Sequence, residues 1–180
     1  MGVITTYTGH KFDPVNPLME ALDIRDIAHA LSLTCRGNGH VKHFYSVAQH
    51  CIMCAKEAMA RGYSQRVVLG CLLHDASEAY MSDVPRPFKE LLHEYVKLEE
   101  KLIELVYLKF IGSTLNEEEI NLIRKVDDDV LYYDMMELFG IPWGEKEELE
   151  VEPDYTIQPF EEVEKTYLEL FRFYTTDIEK

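Results

Sequence analysis

The sequence predicts an all-α fold, a bundle of about six helices. Three observations carry that expectation. Apolar residues recur every three to four positions through most of the chain. A Ser, Asp or Asn stands where the periodic runs begin. Glycines and prolines punctuate the runs at Gly62, Pro85, Pro87 and Gly140.

In chain order, "ITTYTGHKFD" alternates about a glycine and suggests a small N-terminal hairpin. Asp23 caps a short helix with Ile24, Ile27, Ala28 and Leu31 on one face. A loop holding Gly37 and Gly39 follows. Ser46 caps a helix that turns Val47, Cys54 and Ala58 inward and stops before Gly62. Ser64 starts the run "RVVLGCLLHD", which is apolar all round and therefore belongs at the centre of the bundle.

Beyond the prolines, a long helix is expected from Phe88 to Phe110, with Phe88, Leu91, Tyr95, Leu98, Leu102 and Leu105 inward. Asn116 and Glu119 form a capping box for a helix that reaches Phe139 before Gly140. Residues 141–158 are acidic and irregular and form a surface loop. A last helix carries Phe160, Val163, Tyr167, Phe171 and Tyr174.

A chain of 180 residues with a hydrophobic share of 47% is long enough for a real core and is expected to fold as a single domain over 1–180. No apolar run suits a membrane span, and the first residues lack a basic segment followed by an apolar one; the expected location is the cytoplasm. The formal net charge of −15 argues against long nucleic acid as a partner. A small nucleotide stays compatible with that charge if a metal makes the site locally positive. Cys35, Cys51, Cys54 and Cys71 include one CxxC pair within a helical pattern and no second pair, so they are expected to be reduced thiols packed in the core.

The informative residues are ionisable groups at positions where the pattern wants apolar ones. An ionised carboxylate in such a place is costly unless it is paired or bound to metal. His50 lies beside the Val47–Cys54 stripe. His74 and Asp75 end the most apolar helix of the chain. In "VDDDV", a helical wheel places Asp127 on the stripe of Ile120, Ile123, Val130, Leu131 and Leu138, and turns Asp128 and Asp129 towards flank and solvent. Asp134 returns to the same face and is the second candidate.

Two imidazoles and two carboxylates, His50, His74, Asp75 and Asp127, suit one divalent metal ion of the Mn²⁺, Co²⁺, Fe²⁺, Ni²⁺, Zn²⁺ or Mg²⁺ type, with positions left for water and a substrate oxygen. Glu78, a helical turn beyond His74, is placed to orient or deprotonate the attacking water. Arg36, in a loop whose glycines permit close approach, and Lys89, after the proline-rich turn, are the candidate phosphate contacts.

"SVAQH", "LLHDASEAYMSDVPRPFK" and "IRKVDDDVLYYDMMEL" together resemble the H…HD…D signature of the HD-domain metal-dependent phosphohydrolases. "FDP", "IRDIAHALS" and "CRGNGHVKHFYSVAQH" extend the likeness over most of the chain, towards the compact group that includes 5′-deoxynucleotidases. The resemblance implies an HD-domain helical bundle, metal ligation by His50, His74, Asp75 and Asp127, and a catalytic Glu78. It further implies phosphate contacts by Arg36 and Lys89, a sugar contact by Asp83, and a homodimer or higher homo-oligomer. In that group a large aromatic often follows the counterpart of Arg36; here Gly37 stands there.

The expected activity is removal of the 5′-phosphate from deoxynucleoside monophosphates. The alternatives are a deoxynucleoside triphosphate triphosphohydrolase and a non-catalytic, nucleotide-sensing HD domain. The retained Glu78 argues against the latter, and the scarcity of basic residues in the motif loops argues against the former.

Overall fold

The helix Gln65–Leu73 (α3) lies at the centre, as its all-round apolar sequence requires. Every residue from Val67 to Leu73 is buried in the computed structural model, which describes residues 2–176. Ser64 caps it by accepting from the Val67 N–H. Four helices pack on it: Val47–Ala60 (α2), His93–Ile111 (α6), Glu117–Asp134 (α7) and Phe160–Thr175 (α8). Gly70 permits the approach of α7, since a Cβ there would overlap the Ile123 side chain. From α8, the Tyr167 hydroxyl donates to the Leu72 carbonyl at 2.6 Å.

The helix Ile24–Leu33 (α1) packs against α8 and α2. Its cap is Asp23, whose side chain accepts from the Arg25 N–H, and Ile27, Ala28 and Leu31 are buried as the periodicity requires. Ser46 with Gln49, and Asn116 with Glu119, form the two capping boxes that start α2 and α7. At the N-terminus the strands Ile4–Thr5 (β1) and Lys11–Phe12 (β2) pair antiparallel, Ile4 opposite Phe12, and Phe12 is fully buried. The all-α bundle with a small hairpin is therefore the observed architecture. No helix among the described residues is long and apolar enough to cross a membrane.

Two expectations fail. The long helix does not begin at Phe88. Two one-turn helices, Glu78–Met81 (α4) and Arg86–Lys89 (α5), precede it, and α6 starts only at His93. A turn at Glu90 and Leu91 breaks the register, so Phe88 and Leu91 are 58% and 72% exposed instead of inward. Leu102, Val106 and Ile111 carry the buried face of α6.

The second failure is Asp129, expected to face solvent and only 6% exposed. It accepts from Arg61 at 2.7 Å and pairs with Lys125 at 3.3 Å. Its partner Arg61 follows α2, far away in sequence and invisible to a wheel drawn on α7 alone.

Arg61 also donates to Glu57 of α2 at 2.7 Å. Glu57 is fully buried and accepts from the backbone N–H groups of Glu150 and Val151, both at 3.0 Å. This carboxylate therefore fastens the irregular segment between α7 and α8 onto the bundle. Replacing Glu57 by Ala removes one of the two carboxylates on Arg61 and the acceptor of two backbone amides, and is expected to lower stability by about 2 kcal/mol, read as a shift in denaturant midpoint. A midpoint within error of the unmodified chain would show that the segment is held by other contacts.

Candidate metal centre

Three elements meet at one end of α3, counting α3 itself. His50 sits in the first turns of α2, where Ser46 fixes the helix start. His74 and Asp75 follow the last residue of α3. Asp127 lies midway along α7. The structure brings these side chains together: His50 Nε2 is 3.0 Å from Asp127 Oδ1, His74 Nε2 is 3.3 Å from Asp75 Oδ2 and 3.7 Å from Asp127 Oδ1. The two imidazoles meet edge to face, with ring centres 5.3 Å apart.

Both histidines have their outward nitrogen engaged. His74 Nδ1 lies 2.7 Å from the Cys71 carbonyl, to which it donates, so Nε2 is the nitrogen that would be offered to a cation on giving up its proton. That Nε2 is buried without a hydrogen-bond partner among the described residues. His50 Nδ1 is 2.8 Å from Asp134 Oδ2, which likewise turns its Nε2 towards Asp127. A carboxylate or carbonyl behind an imidazole is the usual arrangement by which metal-binding histidines are oriented.

The electrostatics also call for positive charge. Burial opposes an ionised Asp127, yet His50 and His74 hold its carboxyl well below the usual range. Burial and Arg36 oppose a charged His50, but Cys54, Asp134 and Asp127 raise it well above the usual histidine value. For His74 burial again opposes the charged form, and Asp75, Cys51 and Asp127 outweigh it. An orphaned imidazole nitrogen, two oriented histidines and the Asp127 carboxylate fit a divalent cation, while Asp75 groups with His74 and not with His50 and Asp127.

Asp134 is thus brought to His50 from behind. Its Oδ1 accepts from the Tyr155 hydroxyl at 3.0 Å, and its Oδ2 faces Arg36 at 3.4 Å. An Asn at this position loses the charge opposite Arg36 and can present an N–H to His50, favouring the wrong tautomer. Asp134→Asn is therefore expected to weaken divalent-metal affinity by about 10–100-fold in competition with a chromophoric chelator. An unaltered affinity would remove Asp134 from the site's support.

Tyr155 gave no signal in sequence, because it lies in the irregular segment that Glu57 fastens. Cys54 gave one, standing a helical turn after His50. The cysteines are free, as expected, and all but Cys35 are buried. Cys54 Sγ is 3.5 Å from His50 Nε2, and the donor atoms of His50, Cys54, His74 and Asp127 lie within 4.8 Å of one another. Cys51, His74 and Asp75 make a second such group. Burial pushes the Cys51 thiol up, against the deprotonation a ligand needs. Asp127 is only partly buried, its side chain 25% exposed, while Val126 and Val130 occupy the centre of the stripe. Its partial exposure opens it to two cavities.

The first cavity, about 270 Å³, is lined by Arg36, Asp75, Glu78, Asp83, Lys89 and Asp127 at its polar end. All the candidate substrate and catalytic residues therefore share one space. Arg36 faces Asp75 at 3.6 Å, and burial of its guanidinium is outweighed by Asp134 and Asp75, which keep it charged. Glu78 opens α4, and its Oε2 is buried without a partner among the described residues. Burial, Asp75 and Asp83 lift its carboxyl well above the usual range. Burial also lifts Asp83, while Arg36 and a hydrogen bond from the Gly37 N–H oppose the rise. The second cavity, about 480 Å³, shares Asp75, Lys89 and Asp127, and its rim carries Glu99, Glu100 and Glu104. Lys89 pairs with Glu99 at 2.5 Å on that side.

Residues 31–137 match the HD domain family, and the match contains all eight of these candidate site residues. The chain is 40% identical over 112 residues to the uncharacterised protein YfdR of Escherichia coli K12, covering 61% of this chain and 59% of that one. It is 36% identical over 109 residues to an uncharacterised protein of Rhodobacter capsulatus, covering 57% and 55%. The chain thus aligns with less than two thirds of the length of either relative. With the family's match spanning more than half its length and a candidate ligand cluster inside that match, the chain belongs to the HD-domain family, whose members are in general metal-dependent phosphohydrolases.

Proposed function

We propose that the protein removes the 5′-phosphate of deoxynucleoside monophosphates. The observation that carries this reading is the shared cavity. Two of the proposed ligands, Asp75 and Asp127, line one space of about 270 Å³ with Arg36, Lys89 and Glu78, and Val84, Leu131, Met135 and Phe139 are its apolar lining. A phosphate monoester on a sugar and base matches a lining that combines basic groups, carboxylates able to hold a cation, and apolar side chains.

In this reading His50, His74, Asp75 and Asp127 hold one divalent cation, which supplies Lewis-acid charge to the phosphoryl oxygens and acidifies a water. Arg36 grips two phosphoryl oxygens through its fork and Lys89 adds a third cationic contact. Glu78 accepts the proton of the attacking water, a task that suits a carboxyl whose surroundings favour protonation. Asp83 accepts from a sugar hydroxyl. Asp134 and Tyr155 keep the His50 ring in place.

The preference for a monophosphate rests on charge. Beyond the ligands, two cations border the cavity, and the larger neighbouring space carries three glutamates on its rim. A triphosphate brings roughly four negative charges, which that rim would repel. The test is a panel of deoxynucleoside mono- and triphosphates with the Mn²⁺- or Co²⁺-loaded chain, measuring inorganic phosphate and tripolyphosphate separately. Phosphate from monophosphates is expected. Tripolyphosphate as the main product would transfer the reading to a triphosphohydrolase, and neither product would leave a nucleotide-binding role.

A further inference from the structure

The apolar wall of the smaller cavity is built in an unusual way. After Asp134 the helix α7 widens into a π-helical turn, Met135–Phe139, which Gly140 ends in the left-handed conformation at φ 75°. Such single π turns are uncommon and concentrate at functional sites. This one is tied to the Arg36 loop. The Lys42 N–H donates to the Leu138 carbonyl at 2.9 Å, and Lys42 Nζ donates to the Glu137 carbonyl at 2.7 Å. The widened turn puts the Phe139 ring directly over Gly37.

Gly37 in turn is fitted to that ring. It adopts φ 55°, a left-handed conformation, and a Cβ on it would overlap the tip of the Phe139 ring. Asp83 borders the same cavity. Phe139, Gly37 and Asp83 therefore make one continuous wall: an aromatic surface beside a carboxylate that can accept from a hydroxyl. Leu131 and Met135 continue the apolar part.

We infer that Phe139 is the residue against which the nucleoside packs, its ring lying on the sugar–base portion while Arg36 and Lys89 hold the phosphate. This rests on the phosphohydrolase reading above and extends it to a residue just beyond the "IRKVDDDVLYYDMMEL" motif, which none of the sequence readings singled out for the site. On this inference the effect of the ring falls on nucleoside binding and spares phosphate binding.

The experiment compares the metal-loaded protein with Phe139→Ala and Phe139→Leu, each shown folded by thermal melting. KM and kcat are measured on a deoxynucleoside monophosphate, and inorganic phosphate is titrated as a competitive inhibitor. The expected result is a KM raised by about tenfold or more in Phe139→Ala and by less in Phe139→Leu, with kcat and the phosphate inhibition constant unchanged. An unmoved KM would overturn the inference. So would a phosphate constant weakened in step with KM, because the ring would then only be propping the Arg36 loop. If the unsubstituted protein releases no phosphate from nucleotides, the activity reading itself fails, and the inference falls with it before any variant is compared.

Discussion

Asp75→Ala protein is expected to emerge from purification without its divalent metal and to lose turnover by at least about 100-fold, because a direct ligand should matter no less than the groups that orient one. Asp75 and Asp127 are the two carboxylates set against the His50 and His74 nitrogens. With Asp75 gone, a divalent ion would keep two neutral donors and one negative one, too little charge to offset its dehydration. A second consequence acts in the same direction. Arg36 faces Asp75 and Asp134, at 3.6 and 3.4 Å, and the substitution releases half of that restraint on a buried guanidinium beside the site. Elemental analysis of the purified variant, alongside Asp75→Asn, checks the expectation. The amide keeps the shape and loses the charge, so metal bound by the Asp75→Asn variant would assign the role to shape. Undiminished metal in the Ala variant would move the ligand set to Cys54, whose sulfur already lies 3.5 Å from His50.

What the sequence disclosed follows from which forces act locally. Caps are local: Ser46, Ser64 and Asn116 each bind an amide three residues on, and all three helix starts stand where the pattern put them. The burial of α3 was legible because a helix apolar on every side has no face to give to water. His50, His74 and Asp75 were legible as ionisable groups interrupting apolar runs, whereas Asp127, read as the buried member of the three aspartates, stays partly exposed. Asp129 was not legible, since its cost of burial is met by Arg61 from another helix. The helical wheel also assumes one constant angle per residue. Beyond Asp134 the π turn breaks that assumption, so no periodicity could show that Phe139 would lie over Gly37. Tyr155 was hidden for a related reason: an irregular segment has no period, and its position depends on Glu57 and Asp134 reaching it across the fold.

Glu78→Gln is expected to separate binding from chemistry: metal content stays at the level of the unsubstituted protein while kcat falls by about 10²–10⁴-fold. The side chain borders the cavity, and no hydrogen bond occupies its Oε2 among the described residues. Gln preserves that shape and cannot take a proton. The sign of the pH dependence follows from the surroundings. Burial, Asp75 and Asp83 lift the Glu78 carboxyl well above the ordinary glutamate range, and a cation at the centre pulls it back down. Below its pKa the carboxyl is protonated and unable to act as a base, so the active protein should lose turnover on the acid side and regain it as pH rises. The residual rate of the Gln variant should lack that acid limb. A Gln variant with full activity would exclude Glu78 from proton transfer, and one that lost its metal would make it a ligand instead. Retained metal with a flattened acid limb is the combination that only a proton-accepting role produces, because a merely structural side chain leaves the pH profile where it was.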